Sequence, residues 1–533
     1  MNTNKRMGNK LVTCNLPTNF THSELEAAAS LALGLSTKAT RTEILRQSLD
    51  TRSKHNPHWQ VRALVWDESF PTTEHTPPPL LETPPVGHGK RVVVVGSGPA
   101  GYFCALFLAR AGFEVTILEQ GPAVETRWAD VVMFDTKGEF RENSNYVFGE
   151  GGAGTFSDGK LTSRTKGIDA ERNFIFQTYI DAGAPPEIDY LAHPHIGSNR
   201  LRAMTPKLRN LFLNSGGKIT FDCKVTSFDK IGDSIRKVFT SRGIFEAHYV
   251  VFACGHSSLS TYRMLIQNGV PFSPKPFAVG MRFEIPQVLV NLAQWKSESL
   301  PGVKAAEYFL TSQQHLPVYS FCMCPGGRVV PASTRLGNLV VNGVSDYERN
   351  GEFANSAIVA GVNLQELVKP TITAEECLDW REYIEQNAHA ATQQKHPFAA
   401  PACRVSDFLS GKPSQNLTQG TYPFPLVSHT YEGLLHPLIL SSLRLGMSDF
   451  CKKMKSFESG MLIGVETTTS APIRLQRDTE GRAAGFENLF VAGEMSGYAG
   501  GIVSSAAHGV KTAQAICRLA THAQTPHNNF FTR

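Results

Sequence analysis

Three glycines at fixed spacing carry the first readable chemistry of this chain. Gly96, Gly98 and Gly101 follow the run Arg91-Val-Val-Val-Val95 and open the apolar stretch Tyr102-Phe-Cys-Ala-Leu-Phe-Leu-Ala109. A strand, a glycine turn and a helix in that order present unpaired N–H groups and the positive end of a helix dipole to an anion. Gly96 permits the tight turn. Gly98, with Ser97, Pro99 and Ala100 around it, lets the backbone approach a pyrophosphate, and Gly101 lets the helix pack closely on the strand. Val115-Thr-Ile-Leu118 then forms a second strand ending at Glu119, with Gln120 beside it. A carboxylate there can accept both hydrogen bonds from a ribose. The chemistry is dinucleotide binding; a glycine turn with no ligand is the alternative, and an acidic residue in register weighs against it.

The end of the chain narrows the ligand. Asn488-Leu-Phe-Val-Ala-Gly493-Glu494 runs a strand into a glycine–acid pair, Gly497, Gly500 and Gly501 follow, and Ser504 to Leu519 reads as a helix. This late strand and second helix start resemble the flavoproteins built on two dinucleotide-binding domains. The resemblance implies FAD. It places Glu494 on the ribityl or pyrophosphate region, and Ile502 and Val503 against the N1–C2=O edge of the flavin, where a helix dipole stabilises negative charge on the reduced ring. Val250-Val-Phe-Ala-Cys254-Gly255 stands where that group has an apolar strand close to the cofactor, with Cys254 in place of the usual Thr. Val225, on a stretch that alternates from Lys218 to Phe228, is placed with the same site. A glycine-rich surface loop at 493–501 is the alternative.

A second glycine cluster, Gly149-Glu-Gly-Gly152-Ala153-Gly154-Thr-Phe-Ser-Asp-Gly-Lys160, also fits the G-x-G-x-x-G spacing. No buried strand precedes it and Ser157-Asp-Gly159 would break the helix, so it reads as a loop wrapping phosphate or flavin with backbone N–H groups. Together with Cys322-Met-Cys324-Pro-Gly-Gly327, Val341-Asn-Gly343 and Gly497-Tyr-Ala-Gly500-Gly-Ile502, it resembles a family of bacterial and plastid-type FAD-dependent, NAD(FAD)-utilising dehydrogenases. The resemblance extends over nearly the whole chain, Arg46-Gln-Ser-Leu-Asp-Thr-Arg52 included. It implies FAD and a two-domain flavoprotein core without naming a substrate. The chain departs from the family at Thr467-Thr-Thr469, where Arg is usual after Glu466-Thr.

Residues that could act on a substrate are each weighed against a structural role. Cys322 and Cys324 could be a redox pair, but one intervening residue makes a strained ring, and packing is the alternative. Cys104, beside the first helix, has no cysteine partner nearby in sequence. His193-Pro-His195 could move protons at neutral pH, or His195 could be satisfied by backbone. Lys160 and Arg164 could neutralise a phosphate or an acidic substrate, or lie solvated. Arg282 and Glu284 read as a structural ion pair on one strand. Arg474 stands where the chain re-enters the cofactor domain and could face the flavin.

These residues need elements to hold them. The fold class expected is α/β: a Rossmann-like FAD-binding domain at 89–275 and 466–522, interrupted by an α+β cap at 276–465. A small α/β unit at 1–70 precedes it. In that unit Ser23 is expected to cap a helix from Glu24 to Leu33, with Glu26 completing a capping box. Six prolines between Pro71 and Pro85 mark a linker, 71–88, and a flexible tail is expected at 523–533. The 533 residues are 41% hydrophobic and 19% charged, and the formal charge of +5 is scattered, which gives no case for nucleic acid. Ten irregularly spaced cysteines show no zinc or disulfide framework, so reduced thiols in a cytoplasmic compartment are expected. No apolar run is long enough for a membrane span.

The function expected is hydride transfer through flavin N5 to or from a small organic substrate. With no second complete fingerprint, NAD(P)H is expected to dock only transiently, if at all. A flavin monooxygenase is the enzymatic alternative, and an FAD-containing RNA-modifying or partner-binding protein the alternative of another class.

Overall fold

Four consecutive valines suit a strand covered on both faces. In the computed structural model, which describes all residues except 1–6, 36–40, 54–55, 72, 74, 76–80 and 523–533, Arg91–Val95 is the centre of a five-stranded sheet. The order is Leu489–Val491, Tyr249–Phe252, Arg91–Val95, Glu114–Leu118, Lys218–Thr220, all parallel. Val92 and Val94 point into a core with the helices Pro99–Arg110 and Ile502–His522. Val93 and Val95 point the other way, into a core shared with the second sheet. The chain returns to the first sheet only after the second is complete.

That second sheet has seven strands in the order Thr311–Gln313, Pro317–Cys324, Phe353–Val362, Phe277–Pro286, Met461–Glu466, Ala400–Arg404, Leu426–Ser428. All neighbours are antiparallel except the last pair. Its central strands are buried along nearly their whole length, with Arg282, Glu284, Asn355, Ser356 and Glu466 as buried polar residues among apolar ones, and helices such as Ala374–Thr392 and Pro437–Lys453 pack on the sheet. A ribbon of Gly327–Pro331 and Val341–Ser345 leans on it.

Before both lies a three-stranded antiparallel sheet, Gly8–Leu16, His58–Asp67 and Arg41–Asp50, covered by the helix His22–Ala32. The strand Arg41–Asp50 was not anticipated. It docks this unit on the rest: Gln47 N donates to Tyr190 O at 2.8 Å and Ala192 N to Gln47 O at 2.9 Å.

Three local expectations are corrected. The capping box is Thr21 with Glu24, not Ser23 with Glu26, because the chain enters the helix two residues earlier. The stretch from Lys218 to Phe228 is not one strand. Asp222 takes a φ of +51° and splits it into Lys218–Thr220 in the parallel sheet and Val225–Ile231 in an antiparallel meander. Arg282 and Glu284 do not pair. Two residues apart on one strand they lie roughly 7 Å from each other, and each finds a nearer partner: Glu466 for Arg282 and Thr421 for Glu284.

Of the linker 71–88, the described Leu81 and Val86 pack on the cofactor-side core. The expected tail at 523–533 lies outside the described residues. Among those residues no helix is long and apolar enough to cross a membrane.

Candidate functional site

Parallel strands leave a crevice at their carboxyl ends, and here it opens into a cavity of about 1470 Å³. Gly96 to Ala100, Glu119, Gln120, Gly152 to Gly154, Val225, Cys254, Gly255, Gly493, Glu494, Gly501 and Ile502 all line it. Segments that sequence reasoning grouped as a cofactor site thus meet around one space. Gly101 and Val503 do not line it. A Cβ on Gly101 would stand 1.9 Å from Gly96 O, so its role is the close helix–strand approach. Val503 is 1% exposed and belongs to the core behind.

The wall has the features a dinucleotide needs. Gly96 turns at φ +101°, and a side chain there would strike Ala253 O at 2.7 Å. Gly98, the N-cap of Pro99–Arg110, carries no side-chain cap, which leaves the first N–H groups to a ligand. A Cβ on Gly98 would meet only Gly152 Cα, at 3.9 Å, so both glycines keep the passage open. Ser97 N and Oγ donate to Glu119 Oε2 at 3.0 and 2.6 Å, and Gly121 N to Oε1 at 2.9 Å. A carboxylate has about four acceptor positions, so capacity for ribose hydroxyls remains. At the far end Gly500, Gly501, Ile502, Ser504 and Ser505 bring the start of the last helix to the cavity, and the buried Ser505 Oγ lacks a partner there. These residues fit FAD.

Two residues that sequence reasoning missed organise this wall. His256 lines the cavity with Nδ1 2.6 Å from Glu494 Oε2 and Nε2 2.8 Å from Thr468 O. Burial would raise the Glu494 carboxyl, but His256 and the Gly501 N–H hold it below its ordinary value. The signal was present in the sequence: His256 follows the end of a parallel strand, where ligands gather. Arg127 is 0% exposed and donates to the carbonyls of Asn145, Gly149, Glu150 and Gly152, drawing the 149–154 loop around its guanidinium. Burial lowers its pKa to about 9. Nothing near Arg127 in sequence announces it, since its partners are backbone oxygens.

The candidates for chemistry separate. Lys160 lines the cavity, but its ammonium is engaged by Asp158 at 3.2 Å and by the Met323 carbonyl. Asp158 is also clamped by Arg349 at 2.6 and 3.1 Å. Burial opposes the Lys160 charge, and Asp158 with Glu307 outweighs it, holding the pKa above the usual lysine value. His195 does not line the cavity. Its Nε2 lies 3.0 Å from Tyr347 O, and burial followed by the nearby Arg349 lowers its pKa to about 4. Arg474 is exposed, 5.5 Å from the centre of the Tyr498 ring and outside the cavity lining, so it does not face the cofactor space. Arg164 lines the mouth, 5.5 Å from the Phe309 ring centre. Burial raises the Cys254 thiol to about 12. Cys322 lines the cavity and Cys324 is buried behind it. Thr468 and Thr469, in the segment that departs from the family pattern, line it too, while Thr467 turns inward to Glu385 at 2.6 Å.

Residues 91–134 match an FAD binding domain, and residues 276–469 match the family described as FAD-dependent protein, C-terminal domain-like. A protein of Clostridium beijerinckii, itself uncharacterised, is 36% identical over 435 residues, 80% of each chain. Among solved structures, L-proline dehydrogenase from P. horikoshii shares 12% identity over 83% of this chain and 95% of that one, with a TM-score of 0.32. Glycine oxidase from Bacillus cereus shares 12% over 82% and 96%, with a TM-score of 0.31. Overlays that loose carry no argument. The relative and the two sequence matches do: this chain belongs, with the Clostridium beijerinckii protein, to a family of FAD-dependent flavoproteins.

Proposed function

We propose that the protein is an FAD-dependent dehydrogenase or reductase acting on a small organic substrate held between the two sheets. The observation that carries this is one continuous cavity, walled on one side by the dinucleotide-type turns and on the other by the seven-stranded sheet. When bound there, FAD supplies a two-electron hydride acceptor or donor at its N5.

The chain's own residues do the rest. The uncapped start of Pro99–Arg110 binds pyrophosphate, Glu119 takes the ribose, and Arg127 holds the 149–154 loop in place through its carbonyls. Glu494 accepts the Gly501 N–H and so holds the start of the last helix at the cavity, where its positive end would face a bound flavin. Tyr319 and Met323 of the strand Pro317–Cys324 cover the space from the far side and keep bulk water from it. Phe309 and Phe321 line the mouth and remain 62% and 39% exposed, which suits an apolar or ring-bearing substrate. NAD(P)H enters this reading as a transient donor only.

The test is purification followed by the visible spectrum, titration of stripped protein with FAD, and an anaerobic screen of NADH, NADPH and organic donors. Bleaching of bound flavin by one donor is the expected result. A protein that takes up no FAD, or holds FAD that no donor reduces, would sink the proposal.

A further inference from the structure

Residues i and i+2 of a regular strand share a face, yet Cys322 and Cys324 do not behave as such a pair. The pairing of Pro317–Cys324 with Phe353–Val362 slips between Phe321 and Cys324, and within the slip Cys322 adopts φ +44°. A non-glycine residue in that region costs about 1–3 kcal/mol, and such strain gathers at functional sites. Bulges of this kind re-aim side chains. Here the bulge leaves Cys322 on the cavity wall and Cys324, 0% exposed, behind it.

Two cations hold the segment. Arg282 Nη2 donates to Cys322 O at 2.8 Å and to Cys324 Sγ at 3.3 Å, and Lys160 donates to the carbonyl of the intervening Met323. Cys324 Sγ donates to the Cys322 carbonyl at 3.4 Å; the neighbouring Cys324 thiol, opposed by burial and helped by Arg282 and Lys160, holds the Cys322 thiol below its ordinary value. Burial instead pushes Cys104, Cys254, Cys377, Cys403, Cys451 and Cys517 up. A thiol whose pKa is lowered and that opens on a cavity is the reactive kind.

We propose that Cys322 and Cys324 form a redox-active dithiol on the cavity wall that exchanges with a small-molecule disulfide. The Cys322 thiolate attacks one sulfur of the external disulfide, whose S–S bond breaks and releases one thiolate. Cys324 gives up its proton and attacks Cys322 Sγ, closing the internal disulfide and expelling the second thiolate. The protein dithiol loses two electrons and the external disulfide gains them; one released thiolate takes the Cys324 proton, and the other takes from solvent the proton that Cys322 gave up on becoming a thiolate. Closing a ring across one intervening residue stores strain, which keeps the internal disulfide easy to reopen. Reopening it needs two electrons and two protons, which a reduced flavin bound in that cavity would supply. That half rests on the function proposed above; the exchange itself does not.

The experiment uses the full-length protein, reduced, freed of reductant and exposed to glutathione disulfide before acid quench, alkylation and tryptic mass mapping. Both cysteines fall in the peptide 305–328. An internal disulfide there, lost in Cys322→Ser, with Cys324→Ser trapping glutathione on Cys322, is the expected result. Separate alkylation of both thiols in the parent protein overturns the proposal and needs no variant. In parallel, the flavin spectrum is followed anaerobically as dithiothreitol is added. Bleaching in the parent but not in Cys322→Ser supports transfer between dithiol and flavin. A flavin reduced by another donor yet untouched by dithiothreitol removes that transfer and leaves the proposed function standing. Disulfide formation in a protein that binds no FAD does the reverse.

Discussion

His256 Nδ1 lies 2.6 Å from Glu494 Oε2, while the other oxygen of that carboxylate receives the Gly501 N–H at 2.6 Å. One acid therefore ties the end of the strand Tyr249–Phe252 to the start of the helix Ile502–His522. Glu494→Gln removes a charge-assisted contact worth about 1.5–3 kcal/mol, so FAD affinity is expected to fall roughly tenfold or more, read by spectrophotometric titration. Because the carboxyl is held below its ordinary value, the contact should persist at neutral pH and fail only as pH drops through that lowered pKa. A Glu494→Gln protein that binds FAD like its parent would remove this acid from the site.

Two glycines should respond oppositely to alanine. Gly101 has no room, with Gly96 O 1.9 Å from the added carbon, whereas Gly500 has nothing within 4 Å. Gly101→Ala is expected to cost about 1–3 kcal/mol or more, and Gly500→Ala to stay within roughly 0.5 kcal/mol. Denaturant unfolding of both variants checks this, and equal effects would contradict the packing role of Gly101.

His195 gives a pH signature. Its folded pKa of about 4 lies below the roughly 6.5 of an unfolded histidine. A base depressed in this way contributes stability fully above about pH 6.5, and loses it as pH falls towards 4. Melting temperature should decline over that window, and decline less in His195→Gln, which keeps a donor for Tyr347 O. Identical slopes would mean that His195 titrates alike in both states.

Arg282 and Glu466 are 0% and 1% exposed and meet at 3.0 Å. Removing one member of a buried pair costs about 3–5 kcal/mol. Arg282→Met is therefore expected to unfold at markedly lower denaturant, and to disturb the Cys322 carbonyl that Arg282 also holds. A near-neutral effect would show the pair to be dispensable.

Much of the cofactor side was legible because it is local. Gly96, Gly98 and Gly101 meet their requirements within a dozen residues of strand, turn and helix, and the valine run is a buried strand by its side chains alone. The capping box slipped to Thr21 and Glu24 because three-residue spacing also fits Ser23 and Glu26, and only the entering backbone chooses. The split at Asp222 was hidden because alternation continues on either side of it.

The sequence by itself determined the dinucleotide turn, the glycine–acid pair near the end, and the family that unites them. Tertiary structure alone decided which distant side chains meet: His256 with Glu494, Arg282 with Glu466, Arg127 with the carbonyls of the 149–154 loop, and Cys322 on the cavity wall. The physical reason is that periodicity and backbone propensity act over a few residues. A buried charge is satisfied by whatever strand order and register bring within 3 Å, and that is a property of the folded sheets.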